Sequence, residues 1–185
     1  DKRSKFVHYR PRTLIINNLE FDHADIFADL TAIETQFHHC VRTVPGNGLI
    51  LANGEEESVA RVLARGCWTP VESVSSTAGW HAGEIDAAGS FDVMLKNERL
   101  GRVQWELLGK HNRHNALAAI GAARHVGVPP AQAIEALAQF KNVKRRMEIR
   151  GVVNQITVYD DFAHHPTAIA TTLAGLRAKV GGARI

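Results

Sequence analysis

Three short stretches of the 185-residue chain concentrate side chains able to do chemistry. The first is Gly109-Lys110-His111-Asn112-Arg113-His114-Asn115. A strand-like segment, Arg102 to Leu108, leads into it, Gly109 marks a turn, and an Ala-rich helix is expected from Asn115 to about His125. The mouth of a helix offers unpaired backbone N–H groups and a positive dipole end, where ligands dock. Asn112 and Asn115 are three apart and share a helix face. An Asn amide joins one acceptor to paired donors and so matches the N6/N7 edge of adenine. Asn112 also suits the helix N-cap by residue type, with no ligand needed. His111 and His114 have the same spacing, but no carboxylate or Cys adjoins them, which favours surface or packing roles over a metal pair.

The second stretch is Glu20-Phe21-Asp22-His23-Ala24-Asp25. It follows the apolar run Thr13-Leu14-Ile15-Ile16, which reads as a buried strand, and the turn signal Asn17-Asn18. Polar groups just past the carboxyl end of such a strand are where open α/β sheets place sites. Glu20, Asp22, His23 and Asp25 supply the oxygen-rich set that a hard cation takes. They read equally as an acidic loop before the next helix. The third stretch, Asp160-Asp161-Phe162-Ala163-His164-His165-Pro166-Thr167, follows the strand-like Gln155–Tyr159 and opens a helix to about Lys179, with Pro166 suited to its first turn. Here His164 or His165 with an Asp could serve as an acid/base or metal pair.

The elements that must position these residues are legible in outline. Asp29 to Val44 carries apolar residues at helical period (Leu30, Ile33, Phe37, Cys40, Val41), with Asp29 placed to cap it. Gly48–Ala52 and Val71–Val74 read as strands, and Glu55–Arg65 as a helix with Val59, Val62 and Leu63 inward and Gly66 as its stop. Trp80–Leu108 breaks at Gly83, Gly89, Asn97 and Gly101, as antiparallel hairpins do, with Trp80 and Trp105 as packing residues. Pro129-Pro130 opens a helix to Phe140 that buries Ile134, Leu137 and Ala138, and Lys141–Arg150 reads as a charged connector. The fold class expected is α/β.

Composition excludes several roles. A net charge of +3 spread through the chain, with no basic run longer than Lys144-Arg145-Arg146, is not a nucleic-acid surface. Cys40 and Cys67 have no metal-ligand spacing and suggest no disulfide framework. No signal-peptide pattern or apolar run of membrane length occurs, so no membrane partner and a cytoplasmic location are expected.

The three stretches together resemble one family. Gly109-x-His111-Asn112-x-x-Asn115-x-x-Ala118-Ala119 is similar to the G-x-H-N-x-x-N-x-x-A-A element of the Mur ligases, ATP-dependent amide ligases of peptidoglycan synthesis. Asn18-Leu19-Glu20-Phe21-Asp22-His23 resembles their N-x-E-x-D-H element, and Arg146-Met147-Glu148 resembles their R-F-D/E element. Asp160–Thr167 resembles the D-D-[YF]-[AG]-H-H-P-T element of the members that act on UDP-N-acetylmuramate. The resemblance implies that ATP and Mg2+ are the cofactors. It places Asn115, with Asn112 beside it, at adenine, His23 on magnesium, and Asp161 at ribose. It also places Arg146 at the ATP phosphates, where planar donors meet oxygens in pairs, although Arg145 competes for that position. His164 would face the reaction cleft, so Arg146 and His164 are the catalytic candidates. The helix at 29–44 lacks the lysine that many members carbamylate, which points to the branch without it.

Further likeness at Asp1–Tyr9, Asn17–Ile26, Gln36–His39, Ala123–Val128 and Tyr159–Ile169 points to the branch active in peptidoglycan recycling. That branch joins UDP-N-acetylmuramate to the murein tripeptide L-Ala-γ-D-Glu-meso-diaminopimelate through an acyl phosphate. A sister branch, which adds free L-alanine, usually has Tyr where Phe162 stands and Gly where Ala163 stands. The resemblance makes residues 1–143 the later part of a central ATP-binding domain, with a parallel sheet and a small antiparallel sheet. Residues 144–185 become a hinge and the beginning of a Rossmann-like C-terminal domain. No G-x-x-x-x-G-K-[ST] loop occurs in the 185 residues, so this stretch alone is expected to be inactive. Two other classes stay open. A metal-dependent hydrolase needs His23, Asp161 and His164 to converge on one ion. A non-catalytic nucleotide-binding module needs only Asn115.

Overall fold

A computed structural model describes residues 4–105, 107 and 109–185. The expectations that touch Asp1–Arg3, Glu106 and Leu108 lie outside the described residues. After a 3₁₀ turn (Lys5–His8), the chain runs β1 (Thr13–Ile16), α1 (Leu30–Val41), β2 (Leu49–Asn53), α2 (Glu57–Ala64), β3 (Val71–Val74), β4 (Trp80–Ile85), β5 (Phe91–Leu95) and β6 (Glu98–Val103). It continues through α3 (Lys110–His125), α4 (Pro130–Ala138), β7 (Glu148–Val153), β8 (Ile156–Asp160) and α5 (Pro166–Val180). The α/β class is as expected.

β1 to β6 form one six-stranded sheet in sequence order, and β7–β8 form a separate two-stranded antiparallel sheet. The first four strands are parallel neighbours, and β4–β5–β6 are antiparallel. The hairpins therefore sit where they were expected, but they extend the parallel sheet instead of standing apart from it. The joint is tight: β3 and β4 share a single bridge, Val74 to Trp80. Ser75, in the left-handed region at φ 64, turns the chain between them. A side chain at Gly79 would meet the Ser73 carbonyl oxygen, so only glycine closes this corner.

β2 explains the layers. Its residues alternate, with Leu49 and Leu51 in one core cluster and Ile50 and Ala52 in the other. Period-two alternation of apolar residues on both faces is what a fully covered strand requires. One cluster joins Val74, Trp80, Phe91, Val93 and Val103 to Ala116, Leu117 and Ile120 of α3 and Ile134 of α4. The other joins Ile16 to Ile33 and Val41 of α1 and Val59 and Val62 of α2. Asp29 caps α1 as expected, its side chain accepting from the Ala32 N–H at 2.8 Å. Glu34 is buried between α1 and α2, held by Arg61 at 2.7 Å and Arg65 at 2.8 Å.

Three boundaries differ from the sequence reading. β6 ends at Val103, so the strand-like segment from Arg102 does not continue as a strand, and β6 is antiparallel. α3 starts at Lys110 with Gly109 (φ 98) in the N-cap position, so Asn112 lies inside the first turn and is not the cap. The charged connector is interrupted by β7, whose first residue is Glu148. Ala138 is exposed, not buried.

α3 lies close on the sheet. A side chain at Gly121 would come within 2.6 Å of Leu51 Cδ2 and 3.2 Å of Trp80 Nε1, both in fully buried residues. Gly121→Val is expected to overpack this seam and cost about 1–3 kcal/mol. A lower midpoint in urea unfolding checks it, and an unchanged midpoint would show that the seam yields.

Candidate nucleotide-binding site

The N-terminal turns of α3 sit beyond the carboxyl end of β1, and a chain of side-chain hydrogen bonds ties them together. Ser75 Oγ meets His114 Nδ1 at 2.8 Å. His114 Nε2 meets Asn17 Oδ1 at 3.2 Å. Asn17 Nδ2 donates to Asn115 Oδ1 at 3.2 Å. His114 is buried, and its pKa is lowered by that burial first, with Glu55 opposing and Lys110 reinforcing. It is thus a neutral, hydrogen-bonded packing histidine, in line with the role expected for it. Asn115 is exposed, and Asn112 lies one turn nearer the helix start. Asn17 and Ser75 carried no signal beyond turn chemistry in the sequence. A polar residue directly after a buried parallel strand was the clue available for Asn17.

The C-terminal stretch reaches the same helix. His111 has its pKa lowered by desolvation and by Arg146, while Asp161 opposes. The structure therefore brings His111, Arg146 and Asp161 within electrostatic reach of one another. Arg146 Nη1 stands 3.8 Å from Asp161 Oδ1. Asp161 accepts a backbone N–H on each oxygen, from Met147 at 2.9 Å and from Ala163 at 2.8 Å. It fixes the start of β7 to the loop after β8 and keeps unused lone pairs on both oxygens. Arg145 faces elsewhere: its Nε lies 3.5 Å from Asp160 Oδ1, and its guanidinium stacks 4.9 Å from the Phe162 ring centroid. Of the two arginines, Arg146 is the one beside Asp161 and His111.

His164 Nδ1 lies 2.9 Å from the Phe162 carbonyl. A carbonyl only accepts, so Nδ1 carries a proton, and in the neutral ring Nε2 then has the lone pair. The His164 ring also meets the Phe162 ring edge-on at 5.1 Å. His165 takes a different partner, its Nδ1 lying 3.3 Å from Glu20 Oε2. Thr167 Oγ1 donates to the same Glu20 oxygen at 2.6 Å, and Asn18 Nδ2 donates to Glu20 Oε1 at 3.1 Å. Glu20 thus sits at the N-terminus of α5, where helix polarity favours a carboxylate.

His23 was expected on magnesium. It adopts φ 55, and its Nε2 is 3.9 Å from Asp22 Oδ2, with both side chains more than half exposed. Among the described residues no group of three or more His, Cys, Asp or Glu side chains is arranged to hold a metal. These residues by themselves do not make a magnesium site. His23, Asp161 and His164 accordingly form no such group among the described residues. Among the described residues no helix is long and apolar enough to cross a membrane.

Polar loops gathered past the carboxyl ends of parallel strands, between layers of helices, are the build of a ligand-handling α/β protein. The profile of the Mur ligase middle domain matches residues 1–123, and that of the Mur ligase glutamate ligase domain matches residues 145–185. The chain belongs to the Mur ligase family. It is 58% identical over 183 residues to the UDP-N-acetylmuramate--L-alanyl-gamma-D-glutamyl-meso-2,6-diaminoheptandioate ligase of Escherichia coli (strain K12), covering 98% of this chain and 40% of that one. Identity to the UDP-N-acetylmuramate--L-alanine ligase of Clostridium acetobutylicum is 35% over 175 residues, 92% of this chain and 38% of that one. The crystal structure of the UDP-N-acetylmuramate:L-alanyl-gamma-D-glutamyl-meso-diaminopimelate ligase from Neisseria meningitides superposes with a TM-score of 0.74 at 66% identity. That match covers 78% of this chain and 45% of the other. The chain spans about 40% of the length of the curated relatives it matches.

Asp161→Asn replaces one acceptor with a donor facing a backbone N–H. It is expected to release the Met147 or Ala163 amide, at a cost of about 1–3 kcal/mol for the unmet group. Hydrogen exchange at these two amides checks it, and unchanged protection at both would show that the carboxylate does not hold this corner.

Proposed function

We propose that the protein is an ATP-dependent carbon–nitrogen ligase of peptidoglycan recycling. In this reading it joins UDP-N-acetylmuramate to L-Ala-γ-D-Glu-meso-diaminopimelate. The observation that carries the substrate choice is the gap in identity, 58% to a tripeptide ligase against 35% to an alanine ligase. Phe162 and Ala163, where the sister branch usually has Tyr and Gly, support it. The residue roles rest on the geometry of α3 and the Asp160–Thr167 loop. ATP transfers its γ-phosphoryl group to the lactyl carboxylate, forming an acyl phosphate and releasing ADP. The tripeptide amine attacks the acyl carbon, the C–N bond forms, phosphate leaves, and the amine's proton passes to a base.

In this reading Asn115 pairs with the adenine edge, with Asn112 on the same helix face. Arg146 neutralises phosphate charge, Asp161 accepts from ribose hydroxyls, and the His164 Nε2 lone pair faces the acceptor amine. Such work is mostly positioning and charge neutralisation. Magnesium would aid by offsetting phosphate charge. His23 qualifies as a single contributor to its shell and no more. Residues 1–143 would belong to the ATP-binding domain, and residues 144–185 would open the next domain, with both halves meeting at the nucleotide. A cytoplasmic location fits substrates of this kind.

Steady-state phosphate release by the full-length enzyme tests the assignment. The tripeptide is expected to be the efficient acceptor and free L-alanine a poor one. Asn115→Ala should raise the KM for ATP by on the order of tenfold, a lost paired hydrogen bond being worth about 1–3 kcal/mol. His164→Ala should lower kcat with little change in that KM. Turnover with L-alanine and none with the tripeptide would move the protein to the sister activity.

A further inference from the structure

The adenine reading of Asn115 leaves one feature unused: a buried histidine and a half-buried second asparagine joined in series to it. His114 is one of five buried polar or charged side chains among the described residues, and both of its ring nitrogens are engaged. With the Asn17 amide oxygen turned to His114 and its NH2 to Asn115, the directions along the chain follow. Asn17 Oδ1 can only accept, so His114 Nε2 carries the proton and donates to it across 3.2 Å. In the neutral ring Nδ1 must then accept, and the Ser75 hydroxyl donates to it across 2.8 Å. Burial, which lowers the His114 pKa, keeps the ring in that single-proton form. With its oxygen taken, Asn17 presents its NH2 to Asn115, and Asn115 Oδ1 accepts it at 3.2 Å.

We propose that Ser75, His114 and Asn17 are positioning residues that hold the Asn115 amide in one of its two flip states and so make the site prefer adenine over guanine nucleotides. The inference rests on the adenine reading of Asn115 given above. In the held state Asn115 Oδ1 has a second lone pair for the adenine N6 amine, and its Nδ2 faces N7. The flipped amide would set NH2 against the N6 amine and oxygen against N7. Guanine presents acceptors at both O6 and N7, so the held state puts oxygen against O6 and rejects it. The other end of α3 makes a similar anchor, with Thr13 Oγ1 and His125 Nδ1 at 2.7 Å. The helix is thus pinned to both ends of β1, which keeps the Asn17–Asn115 distance fixed.

Calorimetric binding of ATP and of GTP to the full-length enzyme tests this without any acceptor substrate. Asn17→Asp keeps the acceptor for His114 but has no donor for Asn115, so it draws the Asn115 NH2 round to itself. The ATP-to-GTP affinity ratio is expected to fall on the order of tenfold, mostly through weaker ATP binding. Asn17→Ala, which removes the donor without reversing it, should lower the ratio less. Equal losses for both nucleotides, or an unchanged ratio in Asn17→Asp, would overturn the inference. Asn115→Ala separates the two levels: weaker ATP binding there with an unchanged ratio in Asn17→Asp sinks only the positioning role. Unchanged ATP binding in Asn115→Ala removes the adenine site and the inference with it.

Discussion

The seam between α3 and the sheet is the contact on which the rest of the molecule depends. Leu117 and Ile120 are almost wholly buried against the strands, and Gly121 lets the helix backbone approach Leu51 and Trp80 without a Cβ between them. Hydrophobic burial supplies the driving force but no register, because it has no direction. Register comes from hydrogen bonds at the two helix ends, Thr13 with His125 and Asn17 with His114 and Asn115. Glu72 adds a clamp near the middle of the sheet, accepting from Trp80 Nε1 at 2.6 Å and Arg124 Nη1 at 3.0 Å. Apolar contact brings the helix down, and polar contact sets its position along the sheet.

Much of the fold was legible because the relevant patterns are short-range. The run Thr13–Ile16, the capped helix after Asp29 and the hairpin breaks after Trp80 each announce an element through local chemistry. The errors fall where local chemistry is silent. Nothing near Lys110 distinguishes a helix starting there from one starting at Asn115, because Gly109 suits both as a turn. Nothing near Val74 shows that a single parallel bridge joins the hairpins to the main sheet, since that pairing lies across a turn. β7 was hidden because Arg150 and Gly151 break the alternation that marks a strand.

The candidate site divides in the same way. Asn115, Arg146, Asp161 and His164 could be named from motif and spacing, and the structure sets Arg146 and Asp161 beside His111 of α3. The hydrogen-bonded partnership of Asn17, Ser75 and His114 could not be named, because it arises from contacts between residues as far as 98 positions apart. Glu20 shows the reverse case. Its type and place suggested a cation ligand, but its carboxylate is spent on Asn18, His165 and Thr167. A residue's chemistry was readable in sequence, while its partner was not.

The partner contacts of Glu20 bear on how the two halves of the chain work together. The β7–β8 ribbon exposes Ile149, Val152, Val153, Ile156 and Val158, and it contributes to neither of the two main core clusters. Its neighbourhood is tied to the six-stranded sheet by polar links: Glu20 with Thr167 and His165, and the electrostatic contact of His111 with Arg146 and Asp161. Exposed pairs of this kind are worth about 0–1 kcal/mol each. These links are polar, whereas the contacts inside each of the two core clusters are apolar. On the proposed reading, a nucleotide touching both Asn115 and Asp161 would add a further bridge between the two halves. The apolar seam carries the helix that bears Asn115, while Asp161 is held by the backbone amides of Met147 and Ala163 in its own ribbon.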